Sequence, residues 1–125
     1  MGYLENRVGY ALTNTKWFKV CPEQELKPGR AKSVRLFGRP FAVFNLDGRL
    51  FGIDAACRHM KANLTGGKLE GSVVTCPMHG WKYDVRTGKC LTQPDSDVKT
   101  LPVKIKDNTI WIEIELPGSN SYSIA

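Results

Sequence analysis

The sequence predicts an all-β protein of short antiparallel strands. Three observations carry that expectation. No segment repeats apolar residues at helical spacing, several short runs rich in Val, Ile, Phe, Trp and Thr alternate in polarity, and turn signals separate those runs. Strands of this kind must pair and bury one face, which gives a sandwich or a barrel.

The runs follow one another as expected of a β fold. Residues 16–20 (KWFKV) alternate and stop at Cys21-Pro22. Pro28-Gly29 marks a turn, and residues 33–37 form the second run. Residues 41–46 and 49–53 flank Asp47-Gly48, a strong two-residue hairpin signal. Residues 72–75 lead into Cys76, and residues 81–84 lead to a turn at Thr87-Gly88. Residues 103–106 and 109–115 flank Asp107-Asn108, a second hairpin. In the last run Ile110, Ile112 and Ile114 alternate with Trp111, Glu113 and Glu115, so the isoleucines share the face turned to a core.

The chain has 125 residues, which fits one domain with one core. The reading is a single domain over 15–116, an N-terminal extension over 1–14 and a polar C-terminal tail over 117–125. Hydrophobic residues make up 42% and charged residues 24%, a globular balance. No apolar run approaches the roughly 20 residues that cross a bilayer, and residues 1–13 lack a secretory pattern. The expected location is therefore the cytoplasm, away from membranes. The net charge of +6 comes from scattered basic residues with no run of five or six, which argues against nucleic acid. An acidic docking partner is the more useful reading of that charge.

The cysteines and histidines are few and placed unevenly. There are four cysteines (Cys21, Cys57, Cys76 and Cys90) and two histidines. Both histidines lie just after a cysteine, in Cys57-Arg58-His59 and in Cys76-Pro77-Met78-His79. The formula is C-x-H, sixteen residues, then C-x-x-H. Each segment follows an expected strand, so two loops at one end of a β fold can converge. Thiolate and imidazole are good ligands for iron and for zinc. A C-x-H pair is tighter than the pairs of the usual zinc finger, although a structural zinc site could use the same four side chains. A two-iron cluster can use them by giving both sulfurs to one iron and both nitrogens to the other. Cys21 and Cys90 lie outside both segments and read as partly buried thiols.

These residues, with Gly80-Trp81 after the second histidine, resemble the Rieske motif. The similarity continues through residues 81–89 (WKYDVRTGK), 101–105 and 110–112, and covers roughly residues 15 to 115. The resemblance implies a Rieske fold: an antiparallel β-sandwich with a small cluster-binding subdomain inserted at about 56–89. It implies one [2Fe–2S] cluster per chain, with Cys57 and Cys76 on the inner iron and His59 and His79 on the outer, solvent-facing iron.

The resemblance also selects a branch. Respiratory members add a cysteine to each cluster loop and join the two by a disulfide; Ala62 and Met78 stand at those places here. Trp81 stands where those members place a serine, and is read as core packing. Tyr83 stands where a phenol can donate to an inner cysteine sulfur. Donors to sulfur raise the potential, so losing the serine and keeping Tyr83 points to the lower half of the range of about −150 to +300 mV. Pro94 stands in a segment like the third loop that shields the cluster, and reads equally as an ordinary turn proline. Asn63-Leu64-Thr65 fits the glycosylation pattern, which carries no weight in a cytoplasmic chain.

With both histidines taken as ligands, none remains for Ser-His-Asp or Cys-His catalysis. The resemblance therefore implies an electron carrier with no catalytic activity of its own. It would pass electrons from a flavin-dependent ferredoxin reductase to a terminal oxygenase. Two alternatives are a small subunit of an assimilatory nitrite reductase and a redox-sensing binding module.

Overall fold

A computed structural model describes residues 14–58, 62–78 and 80–116. Among the described residues strands run in the order β1 (Thr15–Pro22), β2 (Ala31–Leu36), β3 (Arg39–Leu46), β4 (Arg49–Asp54), β5 (Lys68–Glu70), β6 (Val73–Thr75), β7 (Lys82–Asp84), β8 (Thr100–Leu101), β9 (Val103–Lys106) and β10 (Thr109–Glu115), with single-turn 3-10 helices between some of them. These helices span Glu23–Glu25 and Leu64–Gly66. Among the described residues the strands form three antiparallel sheets, ordered β9-β10-β1, β2-β3-β4-β8 and β5-β6-β7.

β3 explains how the sheets stack. Residues 40–45 are buried without interruption. Phe41 and Val43 pack with Cys21, Leu26, Ile110, Ile112 and Ile114 under the β9-β10-β1 sheet. Ala42 and Phe44 point the other way, into a second cluster with Ile53, Cys57, Val74, Cys76 and Tyr83. The run Phe41-Ala42-Val43-Phe44 is apolar at every position because both faces of β3 are covered. The isoleucines of β10 lie inward as their alternation predicts, at 0%, 0% and 3% exposure.

The expected hairpins form where the turn residues predict them. Asp47 and Gly48 have φ of 52° and 93°, and Asp107 and Asn108 have 53° and 60°, values that suit two-residue loops between twisted strands. The Asn45 side chain fixes the first of these, accepting from the Gly48 N–H at 2.7 Å and donating to the Leu26 carbonyl at 2.8 Å.

The structure differs from the sequence reading in several places. β2 starts at Ala31 and ends at Leu36, while Phe37 has φ of 54° and forms the β2–β3 turn with Gly38. Trp81 lies just before β7. β5, β8 and the two 3-10 turns have no counterpart in the reading. The extension at 1–13 and the tail at 117–125 lie outside the described residues.

Candidate metal centre

β4 delivers the first cysteine. It ends at Asp54, whose carboxylate pairs with Arg39 on β3 and accepts from the Ala56 N–H at 3.2 Å. The Ala55 N–H donates to the Pro40 carbonyl at 2.9 Å. Cys57 then enters the core with 0% exposure, and its N–H donates to Ala62 at 2.8 Å, drawing the start and end of the loop together. Asn63 closes this segment. Its Oδ1 accepts from the Thr65 N–H at 3.0 Å and from the Thr65 hydroxyl at 2.7 Å, capping the Leu64–Gly66 turn.

β6 delivers the second cysteine. Cys76 follows Thr75 at 3% exposure, and its N–H donates to the Trp81 carbonyl at 2.7 Å. The Gly80 N–H returns to the Cys76 carbonyl at 3.1 Å, and Gly80 takes φ of 78°, so the loop between them is a tight turn. Gly67 lets the loops close up: a Cβ there would stand 1.8 Å from the Thr75 carbonyl oxygen.

Tyr83 joins the two segments. It pairs with Val74, two residues before Cys76, and has 0% exposure. Its hydroxyl accepts from the Arg58 N–H at 3.1 Å and lies 3.4 Å from Cys57 Sγ. With one lone pair engaged by Arg58, the O–H can donate to the sulfur. Burial, then the contact with Cys57, pushes the Tyr83 phenol well above its ordinary value, so it keeps the proton that donation requires.

The structure thus brings together Cys57, Cys76 and Tyr83, with Trp81 packed against the same buried cluster. His59 and His79 lie outside the described residues, as do Met60 and Lys61. Pro94 is exposed, and its carbonyl accepts from the Ser96 hydroxyl at 3.1 Å. Cys21 and Cys90 are buried free thiols, and burial raises the Cys21 pKa. The sequence reading passed over Arg58, whose N–H orients Tyr83; a backbone donor leaves no signal in residue identity.

The residues present fit a metal group. Two sulfurs in an apolar core would be costly as unshared thiolates, and a hydroxyl donor aimed at one of them suits a sulfur that carries charge. No helix among the described residues is long and apolar enough to cross a membrane.

Comparison with known proteins agrees with this geometry. Residues 16–103 match the family described as Rieske [2Fe-2S] domain. The 3-phenylpropionate/cinnamic acid dioxygenase ferredoxin subunit of Photorhabdus laumondii is 39% identical over 97 residues, covering 76% of this chain and 91% of that protein. Cholesterol 7-desaturase nvd 1 of Ciona intestinalis is 41% identical over 111 residues, covering 82% of this chain but 23% of the relative. Among solved structures, the Sphingomonas yanoikuyae B1 ferredoxin superposes with a TM-score of 0.69 at 34% identity, covering 82% of this chain and all 100% of the other. A chain from the complex of reduced oxygenase and oxidized ferredoxin in carbazole 1,9a-dioxygenase gives 0.71 at 30% identity, with 77% and 91% covered. A match across most of the β framework, with both cysteines delivered from strand ends into one core, leads to one conclusion: this chain belongs to the Rieske [2Fe-2S] domain family.

Proposed function

We propose that this protein is a one-electron carrier that passes electrons from a flavin-dependent ferredoxin reductase to a terminal oxygenase in the cytoplasm. In this reading Cys57, His59, Cys76 and His79 hold the cluster, on a subdomain spanning about 56–89. The single observation that carries it is the pair of buried cysteines on converging loops with the Tyr83 hydroxyl 3.4 Å from one sulfur. The family assignment and the ferredoxin relatives, matched over nearly their whole length, support it.

A bound [2Fe–2S] cluster supplies reversible one-electron chemistry. The chain's own residues set its conditions. Ala42, Phe44, Ile53, Val74 and Val85 wall Cys57 and Cys76 from water. Tyr83, fixed by Arg58, places a proton near Cys57 Sγ and so favours added negative charge there. The backbone hydrogen bonds at Cys57 and Cys76 hold both sulfurs in place.

The test is an EPR spectrum of the dithionite-reduced protein with metal and sulfide analysis. Two irons and two sulfides per chain, with a signal of mixed nitrogen and sulfur ligation, are expected. Stoichiometric zinc defeats the proposal. Reoxidation of the reduced protein by a terminal oxygenase then tests the carrier role.

A further inference from the structure

The end of the molecule that carries Cys57 and Cys76 also carries a row of cationic side chains with exposed apolar side chains beside it. In the β5-β6-β7 sheet, Lys68, Thr75 and Lys82 are direct cross-strand partners, so their side chains share a face. That face is the outer one, because Val74 and Tyr83 in the adjacent row are fully buried. Thr75 immediately precedes Cys76, which puts the row at the strand ends beside the cysteine loop. Lys82 Nζ donates to Thr75 Oγ1 at 3.0 Å, so its ammonium is held over the middle of the row. The Lys68 side chain is 77% exposed. Arg58, next to Cys57, is also exposed.

Acidic groups offset part of this charge and leave Lys82 and Arg58 as its main cations; Asp97, which accepts from the Cys90 N–H at 2.8 Å, lies beside Leu91. Glu70 meets Lys68 at 3.7 Å, an open and solvent-screened pair. Asp84, further along the same face, is engaged by Arg86. The apolar component is Met78, 54% exposed in the second loop, and Leu91, 49% exposed. The Leu91 N–H donates to the Lys82 carbonyl at 2.7 Å, which fixes Leu91 beside the lysine row.

We propose that this surface docks a protein redox partner whose own site combines carboxylates with an adjoining apolar patch. The inference rests on the carrier reading above and adds the sign and place of the partner's charge. Exposed apolar side chains beside the cysteine segments favour a contact that excludes water, and the adjoining cations select an acidic surface. The position is local. Lys27 and Lys106 are equally cationic but lie at the opposite end, where the hairpin tips at Gly48 and Asn108 line one cavity.

The test follows electron transfer from the reduced, cluster-loaded protein by stopped flow under anaerobic conditions. The oxidants are cytochrome b5, an acidic haem protein, and cytochrome c, a basic one. The rate with cytochrome b5 is expected to fall about tenfold between low and physiological ionic strength. A Lys68→Glu/Lys82→Glu variant is expected to slow cytochrome b5 by about tenfold at low salt and to speed cytochrome c. A Lys27→Glu/Lys106→Glu variant, with the same change in net charge, is expected to stay within about twofold of the parent. Lys68→Gln/Lys82→Gln serves if the reversal lowers cluster content, and is expected to show the same effect at smaller size. Equal slowing by both lysine pairs, absence of salt dependence, or a preference of the parent for cytochrome c overturns the proposal. Failure to reduce either haem protein despite an intact EPR signal overturns the carrier reading beneath it.

Discussion

The Tyr83 hydroxyl stands between the Arg58 N–H, at 3.1 Å, and Cys57 Sγ, at 3.4 Å. With the Arg58 N–H donating to the hydroxyl oxygen, the phenol proton is left able to donate to the sulfur. Tyr83→Phe removes the donor while keeping the ring that fills the core. The midpoint potential is expected to fall by about 60 mV, the one-electron equivalent of a tenfold change in equilibrium constant. EPR-monitored redox titration measures it; an unchanged midpoint in a variant that keeps its cluster removes Tyr83 from any tuning role.

Replacing a neutral imidazole by an anionic thiolate disfavours the extra electron. His59→Cys or His79→Cys is therefore expected to lower the potential in whatever fraction retains the cluster. The same midpoint in parent and variant would argue against histidine ligation.

Gly67 and Gly71 separate two reasons for glycine. A Cβ on Gly67 meets the Thr75 carbonyl oxygen at 1.8 Å, whereas one on Gly71 meets nothing within 4 Å but sits at φ of 62°. Gly67→Ala is expected to cost about 3 kcal/mol by forcing the cysteine loops apart, and Gly71→Ala about 1 kcal/mol of backbone strain. Thermal loss of the visible cluster absorbance, compared between the two, checks the order.

Asp84 gives the molecule an acid-side dependence. Its carboxylate pKa is lowered chiefly by the hydrogen bonds from the Arg86 side chain, against a smaller opposing effect of burial. A depressed folded-state pKa means that the contribution to stability is present above the unfolded value of about 3.9 and is lost as pH falls through the folded value. The Arg86 side chain is 57% exposed, so solvent keeps the effect small. Asp84→Asn is expected to flatten the fall in stability below about pH 4, measured by denaturation at stepped pH. A parallel acid-side slope in the variant would assign the dependence to other carboxylates.

Much of the framework was legible because local chemistry and tertiary structure agree. The alternation of Ile110, Ile112 and Ile114 matches their burial, and Asp47-Gly48 and Asp107-Asn108 supply the positive φ their turns need. The Phe37-Gly38 turn was hidden because a bulky residue rarely adopts φ of 54°. β5 and β8 were hidden because three residues (Lys68–Glu70) and two (Thr100–Leu101) carry no period and owe their pairing to Thr75, Gly52 and Ile53 on neighbouring strands. At the site, Cys57 and Cys76 were legible because each stands beside a histidine at ligand spacing, and Tyr83 only through the resemblance to the family. The Lys68–Thr75–Lys82 row was not, since only the register of three strands makes neighbours of residues seven apart.

Asn63 has a structural role that its sequence pattern does not announce. The Asn63-Leu64-Thr65 stretch fits an acceptor for sugar, yet its amide oxygen is held by Thr65 and its amide nitrogen donates to the Ser33 hydroxyl at 3.4 Å. Its work in the fold is to close the first cysteine loop.

The shared strand β3 has a consequence for how the protein matures. One of its faces leans on isoleucines and needs nothing further, while the other leans on a cluster that includes both cysteines. If Cys57 and Cys76 hold a cluster, metal binding adds to the stability of the second half and not of the first, so the metal-free protein is expected to lose that half at lower denaturant. Scarcity of iron and sulfide would then be expected to show as lost abundance, through proteolysis of that half.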